Sequence, residues 1–201
     1  MIHTITGLWG KYFILSLRSR RMIRLFEILL FILMAEKAYR QKRVKQCAVR
    51  YFLYSYVFWI LVSTVFARIH WEVWNAKPVD FSKVNWKLFY SYAIIAEGNK
   101  AYLQEVIMNC CMLFPVGFLL PCAWERLRQS SCVMLCLCLS AGIELLQLIY
   151  GCGLCELDDI MNNVLGGFLG VLSFKMLRGL GERLVRKLRD RGKRSYGSQS
   201  A

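Results

Sequence analysis

Four apolar runs, each long enough to cross a bilayer, decide what this chain can become. They are Tyr51–Ala67, Val106–Ala123, Cys132–Tyr150 and Ile160–Leu177. A spanning helix needs about 20 predominantly apolar residues, within roughly 17–25, because the hydrocarbon core is about 30 Å thick. The runs are continuous rather than alternating, which argues against a β-barrel. The 201 residues are 57% hydrophobic with mean hydropathy +0.38, too apolar for an ordinary soluble domain. The expected fold class is all-α: a polytopic membrane helical bundle of four spans, with a fifth candidate near the N-terminus.

That fifth candidate, Met22–Ala35, has a short apolar core interrupted by Glu27. Arg18, Arg20, Arg21 and Arg24 precede it, and Lys37, Arg40, Lys42, Arg43 and Lys45 follow. A helix basic at both ends fits poorly across a membrane that favours positive charge on one side. It reads as an amphipathic helix at the cytoplasmic interface; the alternative is a fifth span with an exterior N-terminus. No small-residue cleavage site follows it, so a cleavable signal peptide is not expected. Three regions result: a basic N-terminal region over 1–46, a membrane domain over 47–177, and a basic tail over 178–201.

Charge sets the expected topology. The chain before Tyr51 and the tail from Arg178 to Arg194 are basic, and the connection Trp124–Ser131 carries Arg126 and Arg128 against Glu125. The connection Gly151–Asp159 holds Glu156, Asp158 and Asp159 with no basic residue. The positive-inside rule therefore puts the tail in the cytoplasm and the Arg68–Gln104 and Gly151–Asp159 connections outside. The net charge of +14 is concentrated at membrane ends, where anionic lipid is the nearer partner, and no nucleic-acid motif accompanies it. The tail is expected to begin as a surface helix and end disordered.

Against this apolar background, polar residues inside the spans stand out. Asn109 lies near the outer start of its helix, Glu144 and Gln147 near the outer end of theirs, and Asp158, Asp159, Asn162 and Asn163 open the last one. Three antiparallel helices thus bring these groups to one outer-leaflet level, which Ser63, Thr64 and Arg68 also reach; one shared polar cluster is expected there. Polar groups at bilayer depth either join helices or do chemistry. For Asn162, the spacing by four to Gly166 and Gly170, with Gly167 alongside, reads as a close-packing face. Pro115 is expected to kink or break its helix, with Gly117 and Pro121 extending the irregularity; the alternative is a set of freed carbonyls lining a polar cavity. Glu144 is either a neutral or salt-bridged buried acid, with Arg68 as counter-ion, or a proton-handling or ligand-binding carboxylate. Asp158 and Asp159 suit a helix N-terminus, although one aspartate would serve that role.

The nine cysteines fall mostly inside the spans (Cys110, Cys111, Cys132, Cys136, Cys138), where they act as small apolar residues. Cys152 and Cys155 form a C-x-x-C whose readings are disulfide, metal half-site or coincidence, the last preferred. No second pair completes a zinc site and His3 and His70 are isolated, so neither metal nor cofactor is expected.

Three ordered segments, Asn109 followed by "LFPVGFLLP", then "SAGIELLQ", then "DDIMNNVLGGFLG", resemble the VanZ-like family of bacterial membrane proteins. The resemblance covers roughly Tyr51 to Met176, and the upstream "VNWKLFYSY" is similar to the family's loop before the first motif. Two positions depart from the pattern: Leu88 stands where proline is common, and Cys152 where the family usually has arginine, a change that loses charge and bidentate geometry together. The resemblance implies an envelope protein whose founding relative gives low-level teicoplanin resistance, and it supplies no accepted catalytic residues. A lipid-linked cell-wall precursor or a glycopeptide is the implied ligand. A non-enzymatic protein altering how that ligand is presented is the first reading. A membrane-embedded enzyme using Glu144 or Asp159 is the second. A small transporter is the third, weakened by the absence of a visible inverted repeat.

Overall fold

The computed structural model describes residues 24–38, 40, 44–66, 68 and 79–197, with side chains through Asp190. Arg18, Arg20, Arg21, Lys42, Arg43, His3, His70 and the end of the tail at 198–201 lie outside the described residues. The chain divides into two compact units, Met1–Ser55 and Tyr56–Ala201. In the first, residues 24–38 are helical and are labelled α1. Phe31 meets Tyr51 edge-on with ring centroids 5.7 Å apart, and Arg40 pairs with Glu36 at 2.6 Å, one turn away.

Among the described residues, four helices are long and apolar enough to cross a membrane: Val44–Phe66, Lys100–Ala123, Gln129–Ile149 and Leu157–Asp190. They correspond to the four apolar runs, and the protein is a multi-pass helical membrane protein. The first comprises α2, Val44–Leu61, and a π-helical segment, Val62–Phe66. Helices α4 (Lys100–Ala123) and α5 (Gln129–Ile149) follow, and α6 runs from Leu157 to Gly197. Helix α4 starts earlier than the apolar run because Asn99 caps it, its side chain accepting from Ala101 N at 3.1 Å.

Within the second unit, α4 and α6 make the closest approach. An added Cβ on Gly117 would lie 2.7 Å from the Gly167 carbonyl carbon, and one on Gly166 would lie 2.7 Å from that of Cys110. On Gly170 it would lie 2.7 Å from Phe118 N, and on Gly167 2.7 Å from Cys136 Sγ. Small residues are what let two backbones come this near. Leu113, Val116, Leu120, Cys132, Cys136, Ile143 and Val171 fill the core around the crossing.

Of the kink or break expected at Pro115, the break does not occur: α4 continues through both Pro115 and Pro121. Proline removes one donor and frees one carbonyl, a loss a membrane helix tolerates when its neighbours satisfy the backbone. The carbonyl that Pro115 frees is that of Cys111; beside it Tyr56 Oη donates to the Met112 carbonyl at 3.0 Å, and the glycine contact with α6 holds both flanks. The helical start of the tail is continuous with the last span. α6 is unbroken for 41 residues, about 60 Å at the α-helical rise.

The Arg68–Gln104 connection is more than a linker. From residue 79 it forms a 3-10 turn at Phe81–Lys83, a strand β1 at Val84–Asn85 and a helix α3 at Tyr90–Ala96. β1 pairs in parallel with β2, Cys155–Glu156, in the register Val84 with Cys155 and Asn85 with Glu156. These elements cap the bundle end where α4 and α6 begin and α5 ends.

Candidate functional site

At this capped end the polar residues separate by what each side chain touches. Asp158, 2% exposed, faces the connection. Its Oδ1 accepts from Phe89 N at 2.7 Å and its Oδ2 from Ser91 N at 2.8 Å. Phe89 has φ +63° and offers α3 no side-chain cap of its own. A bulky residue rarely adopts that left-handed conformation, and the carboxylate on α6 supplies the missing cap. One turn on, Asn162 Oδ1 accepts a short hydrogen bond from Tyr92 Oη. Burial, with lesser contributions from Cys110 and Asp158, pushes the Tyr92 hydroxyl above its ordinary pKa and keeps it a neutral donor. Asp158 and Asn162 therefore bolt α3 to α6.

Two more of the sequence-selected residues join helices. Asn163 Nδ2 donates to Ser140 Oγ on α5 at 3.0 Å. Gln147 Nε2 donates to the Thr64 carbonyl at 3.1 Å, in the π-helical segment that ends the first span. The hydroxyls of Ser63 and Thr64 turn back onto the Trp59 and Ile60 carbonyls of their own helix. They do not enter the cluster; only the Thr64 backbone does.

The remaining residues face one another. Asn109 Nδ2 donates to Asp159 Oδ1 at 2.6 Å, linking α4 to α6. Glu144, 3% exposed, accepts from Glu156 N at 3.2 Å through Oε2. Glu156, 8% exposed, accepts from Asn85 Nδ2 at 3.2 Å through Oε1. One carboxylate oxygen from each of Glu105, Glu156 and Asp159 lies within 4.8 Å of the others. The Arg68–Glu144 salt bridge is not formed. Arg68 is exposed, and among the described residues no basic side chain pairs with Glu105, Glu144, Glu156 or Asp159. Glu144 and Glu156 are buried, Asp159 is half-buried and Glu105 is exposed; gathering like charges at a partly buried site without a partner is costly, so such a group holds protons or attracts a cation.

This arrangement can bind a positive group or exchange protons. Glu105, Glu156 and Asp159 are the residues that could hold a metal, and an all-oxygen carboxylate set suits a hard divalent ion. The expectation of no metal concerned histidine and cysteine spacing, which says nothing about a carboxylate set assembled from three segments. Cys152 and Cys155 are free thiols. Burial pushes both up in pKa, and at Cys155 the charges of Glu144 and Asp159 add to the effect. Cys155 thus sits beside the carboxylates.

Sequence reasoning missed Glu105, Glu156, Asn85, Ser91 and Tyr92. Glu105 had a local signal, since it lies one turn before Asn109 on the same helix face. Asn85, Ser91 and Tyr92 sit in "VNWKLFYSY", whose role appears only when the connection folds back on α6.

The similarities to known proteins follow the same segments. The VanZ/LLP1 family matches residues 51–178, which hold the four spans' core and every residue of the cluster. Protein VanZ of Enterococcus faecium is 32% identical over 76 residues, 38% of this chain and 45% of that protein. The match thus spans less than half of that relative's length. No solved structure gives a significant match. With more than half its length matched by the family, this multi-pass membrane protein belongs to the VanZ/LLP1 family.

Proposed function

We propose that the protein acts in the bacterial cell envelope, where it alters the presentation of a membrane-anchored or lipid-linked ligand and lowers susceptibility to glycopeptides such as teicoplanin. One observation carries this reading. Glu105, Glu144, Glu156 and Asp159 gather at one end of the bundle, while packing is already served by the glycines and by Asp158, Asn162, Asn163 and Gln147. Arg126 and Arg128 mark the opposite end, between α4 and α5. The positive-inside rule then supports an outer-leaflet cluster and a cytoplasmic C-terminus, the side on which glycopeptides act. The ligand group that meets these carboxylates is cationic, because an anionic one would be repelled.

A second reading is a membrane-embedded enzyme acting on a lipid-linked substrate, with Glu144 and Asp159 as acid and base. The gathering of buried Glu144 and half-buried Asp159 at one end of the bundle supports it, since neighbouring acids in one site separate in proton affinity.

The test expresses wild type, Glu144→Gln and Asp159→Asn in a Gram-positive host and measures teicoplanin susceptibility together with membrane abundance. Protection by wild type that is lost in equally abundant variants supports a working site. An abundant wild type that gives no protection refutes the resistance role. The cation is identified separately in detergent: thermal stabilisation by added Mn²⁺ that Glu105→Gln abolishes marks a metal, and none assigns the charge to an amine of the ligand.

A further inference from the structure

The last helix does not stop where a membrane would. Its 41 residues extend about 60 Å, twice the roughly 30 Å hydrocarbon thickness. Beyond Leu177 the composition changes while the helix continues. Leu180, Leu184, Val185 and Leu188 are 58–64% exposed, and at about 100° per residue they share one arc of roughly 140°. Arg183, Arg186 and Arg189 occupy the opposite arc together with Glu182 and Asp190; Arg178, paired with Glu182 at 3.0 Å, and Lys187 stand at the two borders.

Two glycines mark the junction. An added Cβ on Gly179 or Gly181 would meet nothing within 4 Å, unlike one on Gly117, Gly166, Gly167 or Gly170. No close approach requires them. Glycine inside a helix weakens it through backbone freedom, and paired small residues are a recognised cause of helix bends. Two within three residues therefore place a weak point between the spanning part of α6 and its amphipathic part.

The occupant of the apolar arc follows from its charge and its position. A coiled-coil seam is narrower than this arc, and a second copy would bring like-charged flanks together. A lipid surface is already the environment of the preceding turns. Basic residues bordering an apolar arc suit a helix half-sunk at headgroup level, with long cationic side chains reaching the phosphates. We propose that α6 bends at Gly179–Gly181 and that residues 182–190 lie on the membrane surface where the helix emerges, bound through anionic phospholipid headgroups.

The full-length protein is reconstituted into phosphatidylcholine vesicles with and without phosphatidylglycerol, carrying an environment-sensitive fluorescent amino acid at position 184 or, separately, at 186. In anionic vesicles the probe at 184 should shift to the blue and be quenched several-fold more than the probe at 186 by lipids brominated near the headgroup. High salt should reverse much of this difference, and Gly179→Ala/Gly181→Ala should reduce it by stiffening the bend. Equal, water-like signals from both probes in anionic vesicles would overturn the assignment. So would a blue shift at 184 that follows protein-to-lipid ratio and ignores phosphatidylglycerol, which would assign the face to a second copy.

Discussion

Replacing Gly166 with alanine should separate α4 from α6 and pull the carboxylate site apart with them. The new Cβ would lie 2.7 Å from the Cys110 carbonyl carbon and 2.9 Å from its Cα, where ordinary contact begins at 3.4 Å. These neighbours are backbone, and the Cys110 carbonyl oxygen is nearer still, so no rotamer change relieves the clash and the helices must part by more than about an ångström. Overpacking of this kind costs about 1–3 kcal/mol, and rigid backbone on both sides argues for the upper end. The displacement reaches the site directly. Cys110 follows Asn109 in α4, and Gly166 lies about two turns after Asp159 in α6, so parting there strains the 2.6 Å Asn109–Asp159 hydrogen bond. The assay is thermal unfolding of the detergent-solubilised protein, with membrane abundance measured in parallel. Gly142→Ala is the control, because a Cβ there meets nothing within 4 Å and alanine favours the helix by up to about 1 kcal/mol. Gly166→Ala should melt several degrees below wild type and Gly142→Ala at or above it. Equal stability of the two variants would refute the close crossing on which the site geometry depends.

Other changes address the polar groups individually. Asp158→Ala removes both caps from the start of α3; each charge-assisted bond is worth about 1.5–3 kcal/mol, so abundance and melting temperature should both fall, and unchanged values would deny Asp158 its anchoring role. Tyr92→Phe leaves Asn162 Oδ1 unpaired at a cost of about 1–3 kcal/mol, and a double-mutant cycle with Asn162→Ala should show coupling between them. Cys155, raised in pKa by burial and by the charges of Glu144 and Asp159, carries less thiolate at a given pH than a free cysteine. Its alkylation, followed by peptide mass spectrometry, should be slow near pH 8 and rise with pH. Where Glu144 is ionised it raises that pKa, so Glu144→Gln should move the Cys155 profile to lower pH; an unmoved profile across the alkaline range, where the carboxyl is ionised, would remove Glu144 from its neighbourhood.

What the sequence made legible was whatever depends on one segment at a time. Continuous apolar runs announce spanning helices through length alone, and the spacing of Asn162, Gly166 and Gly170 announces a close face through helical period. Elements defined by partners stayed hidden. Two-residue strands have no periodicity to read, and β1 and β2 exist only because the connection after the first span returns to pair Asn85 with Glu156. Helix α3 lacks a capping side chain of its own, so nothing local marks its start; the cap comes from Asp158 on a distant helix. At Pro115 the sequence left kink and break both open, and only the context of α4 packed on α6 decides against the break.

The adjacent pair Asp158 and Asp159 shows how one short motif can carry two jobs. Successive helix residues point about 100° apart, so two neighbouring aspartates at the start of α6 cannot face the same partner. Asp158 turns to the connection and binds two backbone donors. Asp159 turns to α4, meets Asn109, and joins Glu105 and Glu156. The first aspartate fixes α3 and so the chain that carries β1, and β1 presents Asn85 to Glu156, a member of the second group. Losing Asp158 should therefore disturb the carboxylates through the scaffold and lower abundance. Losing the charge of Asp159 should leave the scaffold standing and change only what the carboxylates can hold. An anchoring aspartate and a working aspartate thus stand next to each other in sequence, distinguished by the helix face each occupies.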